Sequence, residues 1–358
     1  MNKNQYYNDE QKVEKELDSL FDDLKNTKLK KAIKKAQWHS IFRNVLISFV
    51  VLGVMLVGGS IVNRELIYNM EMPVQIAVDS FNKISAPNKY IGKVSRYHEI
   101  LGGRNEYTTY KIIEGKVVFA GEGDYSYGLL RNEWGNRIGT ESPSILGASH
   151  DVGDLKEQKY NELGQREMVF FYPFISYPEY KNDLQLLDSI GSDKIMEMAL
   201  SFDQAYSLDE VNKMLPNNVT LAWYWVDDLN EQEKEDSKPR KEKQQGPDGK
   251  THEVDYPARI RSEKNAYGIK AYDVNREPLE DPAQLFIWAL QNGMKYDTKY
   301  KSEFVRVYNN IAGQDGELTK EDIKVWGVVV TGDVNNLKTL RTLPFIKASS
   351  LGVVTEKY

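Results

Sequence analysis

Cysteine is absent from the 358 residues, which excludes disulfides, thiolate zinc sites and cysteine nucleophiles together. Any core must therefore be held by burial. Histidine is nearly as scarce: His39, His98, His150 and His252 are the only four. None stands at metal-ligand spacing to another, and HExxH and its relatives are missing. Each reads as an ordinary surface or hydrogen-bonded side chain. A phosphate loop is missing too, since Leu101-Gly102-Gly103-Arg104 lacks the G-x-x-x-x-G-K-[ST] frame. Ser149-His150-Asp151 spells triad letters, but sequence neighbours cannot adopt triad geometry, and no G-x-S-x-G accompanies them. Carboxylates are plentiful yet show no spacing that indicates a glycosidase pair, which composition alone does not exclude. The expectation is a protein without catalytic residues, metal or cofactor.

What the chain does have is one long apolar run, Val45 to Val62. Eighteen helical residues at about 1.5 Å each reach roughly 27 Å, close to the hydrocarbon thickness of a bilayer. Residues 25 to 43 before it hold seven basic residues and no acid, whereas the twenty residues after it hold only Arg64. Positive flanks stay in the cytoplasm, so the N-terminus is expected inside and residues 63 to 358 outside, in a single-pass cell-membrane protein. A cleaved signal peptide is the competing reading, with Gly58-Gly59-Ser60 as its cleavage site, but a leader normally has a shorter apolar core and a brief basic start.

The net charge of −6 hides a division. Residues 1 to 23 carry seven acids against three Lys, residues 25 to 43 carry seven basic residues and no acid, and the remainder has an excess of nine acids. An acidic exported part gives no reason to expect nucleic-acid binding.

Within the tail, Val13, Leu17, Leu20, Phe21 and Leu24 repeat at helical spacing while acids occupy the other positions. Leu29, Ala32, Ile33 and Ala36 continue the period, predicting one or two amphipathic helices. So short a segment cannot bury that face by itself. It needs a partner or the membrane surface. The acids around the first stripe oppose an anionic leaflet, so Val13, Leu17, Leu20, Phe21 and Leu24 are assigned to a partner. Lys28, Lys30, Lys31, Lys34, Lys35, Trp38 and Arg43 are assigned to lipid contact.

Beyond the span the fold class expected is α+β, with exported mixed domains at residues 63 to 190 and 191 to 358. A helix is expected at Gln75 to Ile84, and a hairpin turns at Glu114-Gly115 between apolar strands. Met168 to Tyr172 reads as a strand ending at Pro173. Then come a strand at Glu197 to Phe202, a capping box Ser207-Leu208-Asp209-Glu210 opening a helix that stops at Pro216, and a strand at Val219 to Val226. The order recurs near the end: strand Val325 to Thr331, cap Asp333, helix to Leu343-Pro344, strand from Phe345. Two strand-helix-strand units suggest helices on one face of a sheet. Between them lie a helix pair, 282 to 293 and 299 to 312, and a polar insertion, 230 to 253. That insertion has no aliphatic or aromatic side chain, so it is expected to be a solvated excursion with a turn at Pro247-Asp248-Gly249. Phe202, Trp223 and Trp326 are assigned to core. Trp223 and Trp225 share a strand face, read as core packed under a helix in preference to a ligand platform.

Three features together resemble the membrane-anchored sigma factor regulators with paired N-terminal and C-terminal domains. They are the Lys-rich helix entering the anchor, Ser201-Phe202-Asp203 with Tyr206 and the helix through Val211 to Leu215 before Trp223, and the closing Trp326-Gly-Val-Val-Val-Thr-Gly332 strand with its helix. The resemblance implies an anti-sigma factor whose tail, residues 1 to 44, holds an extracytoplasmic-function sigma factor at the membrane. The exported domains would sense the envelope or contact a second membrane protein. Lacking Cys, the tail cannot carry the zinc signature of many anti-sigma factors. An anchored exported binding module or cell-wall enzyme is the rival, but it needs the basic belt and not the Val13 to Leu24 stripe.

Overall fold

The computed structural model describes residues 3–129, 134–139, 158–245 and 251–357. Ser149, His150, Asp151 and the Pro247-Asp248-Gly249 turn lie outside them. A single helix, α1 (Lys3–Ile84), takes in the tail, the apolar run and the helix expected from Gln75, with Pro73 inside it. The one or two tail helices are thus the start of one helix, because no Gly or Pro interrupts the helical period before residue 53. The chain divides within α1 into two compact units, Met1–Glu65 and Leu66–Tyr358.

In the first unit, every described side chain from 26 to 62 is exposed. Among the described residues this is the one helix long and apolar enough to cross a membrane. In the second unit, α1 turns amphipathic and buries Ile67, Val74, Val78, Phe81 and Ile84.

Four antiparallel strands follow in order: β1 (Lys89–Glu99), β2 (Gly102–Ile113), β3 (Lys116–Gly128) and β4 (Trp134–Gly139). β2 buries every odd residue from Gly103 to Ile113, the period of a one-sided strand. The β2–β3 turn sits where expected: Glu114 and Gly115 both have positive φ, 48° and 77°, as a two-residue type I′ hairpin requires.

The C-terminal part begins with β5 (Val169–Phe170), only two residues of the strand expected at 168 to 172. Side chains interrupt the ladder there, since Phe171 N donates to Ser201 Oγ and Tyr172 N to Tyr177 Oη. β6 (Lys194–Tyr206), α2 (Leu208–Met214) and β7 (Thr220–Val226) form the first expected unit, with the Ser207/Glu210 capping box in place. After α3 (Glu231–Ser237), β8 (Arg240–Gln245), β9 (Thr251–Tyr256), β10 (Arg261–Ser262) and β11 (Gly268–Lys270) comes the helix pair α4 (Pro282–Lys295) and α5 (Lys301–Ile311). Then β12 (Val325–Asp333), α6 (Val334–Lys338) and β13 (Ile346–Glu356) repeat the unit.

The main sheet runs β11-β7-β12-β6-β13, and all neighbours are antiparallel. β6 and β7 are therefore parallel with β12 between them, and β12 and β13 are parallel with β6 between them. The two strand-helix-strand units interleave as split βαβ motifs.

Two expectations need correction. The polar insertion is not an unstructured excursion: α3 is closed by an Asn230/Glu233 capping box, and β8 pairs with β9. Caps, cross-strand ion pairs from Lys241 to Glu253 and Asp255, and an Arg240 guanidinium over the Tyr256 ring supply order without apolar burial. Trp223 and Trp225 are core, as assigned, but not under a helix. They join Trp326 beneath the 168–180 segment, with Phe170 and Tyr172 against their rings, while Tyr224, Val226 and Phe202 face the core shared with Val211, Phe286 and Phe304.

Candidate partner-binding surface

In the tail α1 carries Val13, Leu17, Leu20 and Phe21 at 56%, 51%, 61% and 58% exposure. At about 100° per residue these four fall within roughly 100° of the helix circumference. Nothing in the described part of the first unit covers them, since no side chain there is buried. Leu24 is placed on the same helix, but its side chain lies outside those described. The surface is local in origin: helical spacing alone brings the residues together. Glu14 and Glu16 flank the strip, and Asp18 and Asp22 lie with Lys15 and Ser19 on the rest of the same turns, so an apolar strip is bordered by acid. Lys28, Lys30, Lys31, Lys34, Lys35 and Arg43 are exposed around the next turns rather than along one side, and Trp38 is 71% exposed at the approach to the apolar run.

In the second unit the polar groups are drawn into buried clusters that sequence patterning did not reveal. Lys111 of β2 meets Glu197 of β6 at 2.5 Å and Glu263 at 3.3 Å, and Asn88 donates to Glu197 at 3.2 Å. Burial opposes the Lys111 charge, but the two carboxylates prevail and hold its pKa above the ordinary value. Burial pushes Glu263 up despite that ammonium. Asp228, wholly buried, takes Arg306 at 3.0 Å and Arg261 at 3.5 Å. Arg306 also holds Glu233 of α3, and Asn310 donates to the same carboxylate, which ties the insertion to α5. Each cluster cross-links distant segments, and among the described residues no group of three or more His, Asp or Glu is placed to hold a metal ion.

Asp227 beside this cluster makes a pH-dependent contribution. Burial outweighs its 3.0 Å pairing with Lys234 and raises its carboxyl to about 6. A raised acid binds its proton more tightly folded than unfolded, so its contribution is full below about pH 4 and is lost as pH rises through 6. Between pH 4 and 6 the wild-type unfolding free energy should fall by about 1–3 kcal/mol relative to Asp227→Asn, followed by denaturant titration at each pH. Parallel curves for the two proteins would rule this out.

Residues 187–353 match the family model of the sigma factor regulator C-terminal domain, and residues 30–118 that of the sigma factor regulator N-terminal domain. The chain belongs to the sigma factor regulator family. No curated protein and no solved structure matches it at a significant level. The paired domains support an anti-sigma factor role with a sigma factor as partner, and with the one apolar helix they point to a single-pass membrane protein. In this regulator the N-terminal match starts at residue 30, within the basic stretch, so the Val13 to Leu24 stripe precedes it. The C-terminal match takes in both split βαβ units and the insertion between them.

Proposed function

We propose that this regulator holds an extracytoplasmic-function sigma factor at the inner face of the cell membrane through Val13, Leu17, Leu20, Phe21 and Leu24. It releases that factor when its exported unit registers an envelope signal. One observation carries the reading: a helical apolar strip with no core of its own, bordered by acids, on a chain with paired regulator domains. A helix presenting such a strip suits an apolar groove on a partner. Five side chains at roughly 1.5–3 kcal/mol each supply ample gross affinity before ordering costs. Catalysis has no part in the proposal, and lipid serves as anchor and counter-charge for the basic belt.

The test is to purify the full chain from its native host membranes and identify what co-elutes, while measuring sigma-dependent promoters in a deletion strain. A co-eluting sigma factor whose promoters rise on deletion supports the proposal. A clean preparation with silent promoters would replace it with an anchored exported binding module.

Orientation is tested separately. With the basic flank inside, protease added to intact protoplasts should remove residues 66 to 358 and spare a fragment carrying an N-terminal tag. Protection of the C-terminal unit would reverse the topology.

A further inference from the structure

A cavity of about 340 Å³ opens between the last turns of α1, the start of β1 and the segment from β11 to α4. That is the lower end of the range for small-molecule sites. Tyr90, Ile91, Tyr272, Leu285 and Phe286 make its wall largely apolar and aromatic. Lys270 lines it as well, only 6% exposed. Its ammonium donates to Asn82 Oδ1 at 2.7 Å and to the Lys89 carbonyl, and lies 4.6 Å from the Tyr90 ring centroid.

None of those partners is an anion. Elsewhere the same unit matches its buried cations with carboxylates: Lys111 has Glu197 and Glu263, and Arg261 and Arg306 have Asp228. At Lys270, burial and then the positive charges of Lys89 and Lys83 push the pKa well below the ordinary lysine value. Two acids do line the cavity, but among the described residues neither forms an ion pair with Lys270. Asp79 stands one turn before Lys83 on α1, and burial raises its carboxyl against that lysine's charge. Asp273 accepts the N–H groups of Asn275 and Glu277 in its own loop, at 2.8 and 2.9 Å. A buried ammonium without a counter-charge is costly, which is why burial disfavours the charged form of Lys270. Here a lysine without a carboxylate partner faces an open space with an apolar wall, so an entering carboxylate would favour its charged form.

We propose that this cavity binds a small amphipathic monoanion, its carboxylate or equivalent group paired with Lys270 and its apolar body against Tyr90, Tyr272 and Phe286. The charge selects the ligand head and the aromatic wall selects its body. The site does not depend on the tail's partner.

The probe is 3-phenylpropanoate, titrated calorimetrically into the full chain in lipid nanodiscs, with 3-phenylpropylamine and empty nanodiscs as controls. Saturable binding of the anion is expected, at least tenfold tighter than the amine. Lys270→Met should weaken it at least tenfold. Because that change also alters a buried contact, Leu285→Trp serves as a second variant that fills the cavity from α4 and leaves Lys270 in place, and it too should lose the anion. Absence of saturation up to about 10 mM, a preference for the amine, or wild-type affinity in either folded variant would overturn the assignment.

Discussion

Leu20→Glu with Phe21→Glu is expected to cost the full-length regulator more than about 100-fold in affinity for its sigma factor and to switch on the factor's regulon without any envelope signal. Both side chains stand more than half exposed, and no side chain among the described residues of their unit, up to Glu65, is buried. Docking two such side chains contributes on the order of 3–6 kcal/mol, and a carboxylate forced into an apolar groove adds a desolvation penalty. The anchor should be unaffected, because residues 45 to 62 and the basic residues before them are unchanged. Since Glu is a good helix former, α1 should persist, which circular dichroism of a tail peptide checks. Co-purification and promoter activity then give the answer. Retention of the sigma factor by the double variant, with promoters still silent, would falsify the assigned surface. Controls at Lys30 and Lys31 should leave binding intact, because those residues are assigned to lipid.

Trp223→Ala should destabilise the C-terminal unit, Leu66–Tyr358, by about 3–5 kcal/mol, a large part of the 5–15 kcal/mol that usually holds a domain together. The ring is wholly buried, 5.8 Å from Phe170 by centroid. On its other side it lies so close to Gly268 that a Cβ there would sit 2.3 Å from it. Backbone on one side and an aromatic cluster on the other leave little freedom to collapse into the space, so the cavity term is near its full value. Trp223→Phe should cost much less. It keeps a ring and removes an indole N–H that has no hydrogen-bond partner among the described residues, which recovers part of the roughly 1–3 kcal/mol that such an orphan costs. Denaturant unfolding of the full chain in detergent measures both. An Ala variant as stable as wild type would return Trp223 to the ligand-platform reading.

Local rules carried much of the fold. The anchor follows from composition over eighteen residues, and the Ser207/Glu210 capping box, the Glu114-Gly115 turn and the stop before Pro216 follow from the chemistry of three or four neighbours, whereas the helix expected to run to Leu343 ends at Lys338 and tightens into a 3-10 turn. Val13, Leu17, Leu20 and Phe21 were legible for the same reason: helical spacing alone puts them on one side. The polar insertion is ordered despite lacking apolar side chains, so its composition did not disclose its structure. Its caps, ion pairs and attachment to Arg306 and Asn310 are polar, and the last of these joins residues about 75 apart in sequence.

Sequence by itself determined that the chain has one span, an exposed acidic-bordered strip before it and two strand-helix-strand units after it, because each depends on residues within a few turns or strands of one another. Only the tertiary structure decided how those units interleave, which carboxylates meet Lys111, which guanidinium groups meet Asp228, and that Lys270 stands at a cavity without an ion-pair partner among the described residues. Those outcomes depend on which segments distant in the chain come to share an interior. There the absence of water makes every unmatched charge and every unfilled space count, and no local pattern records it.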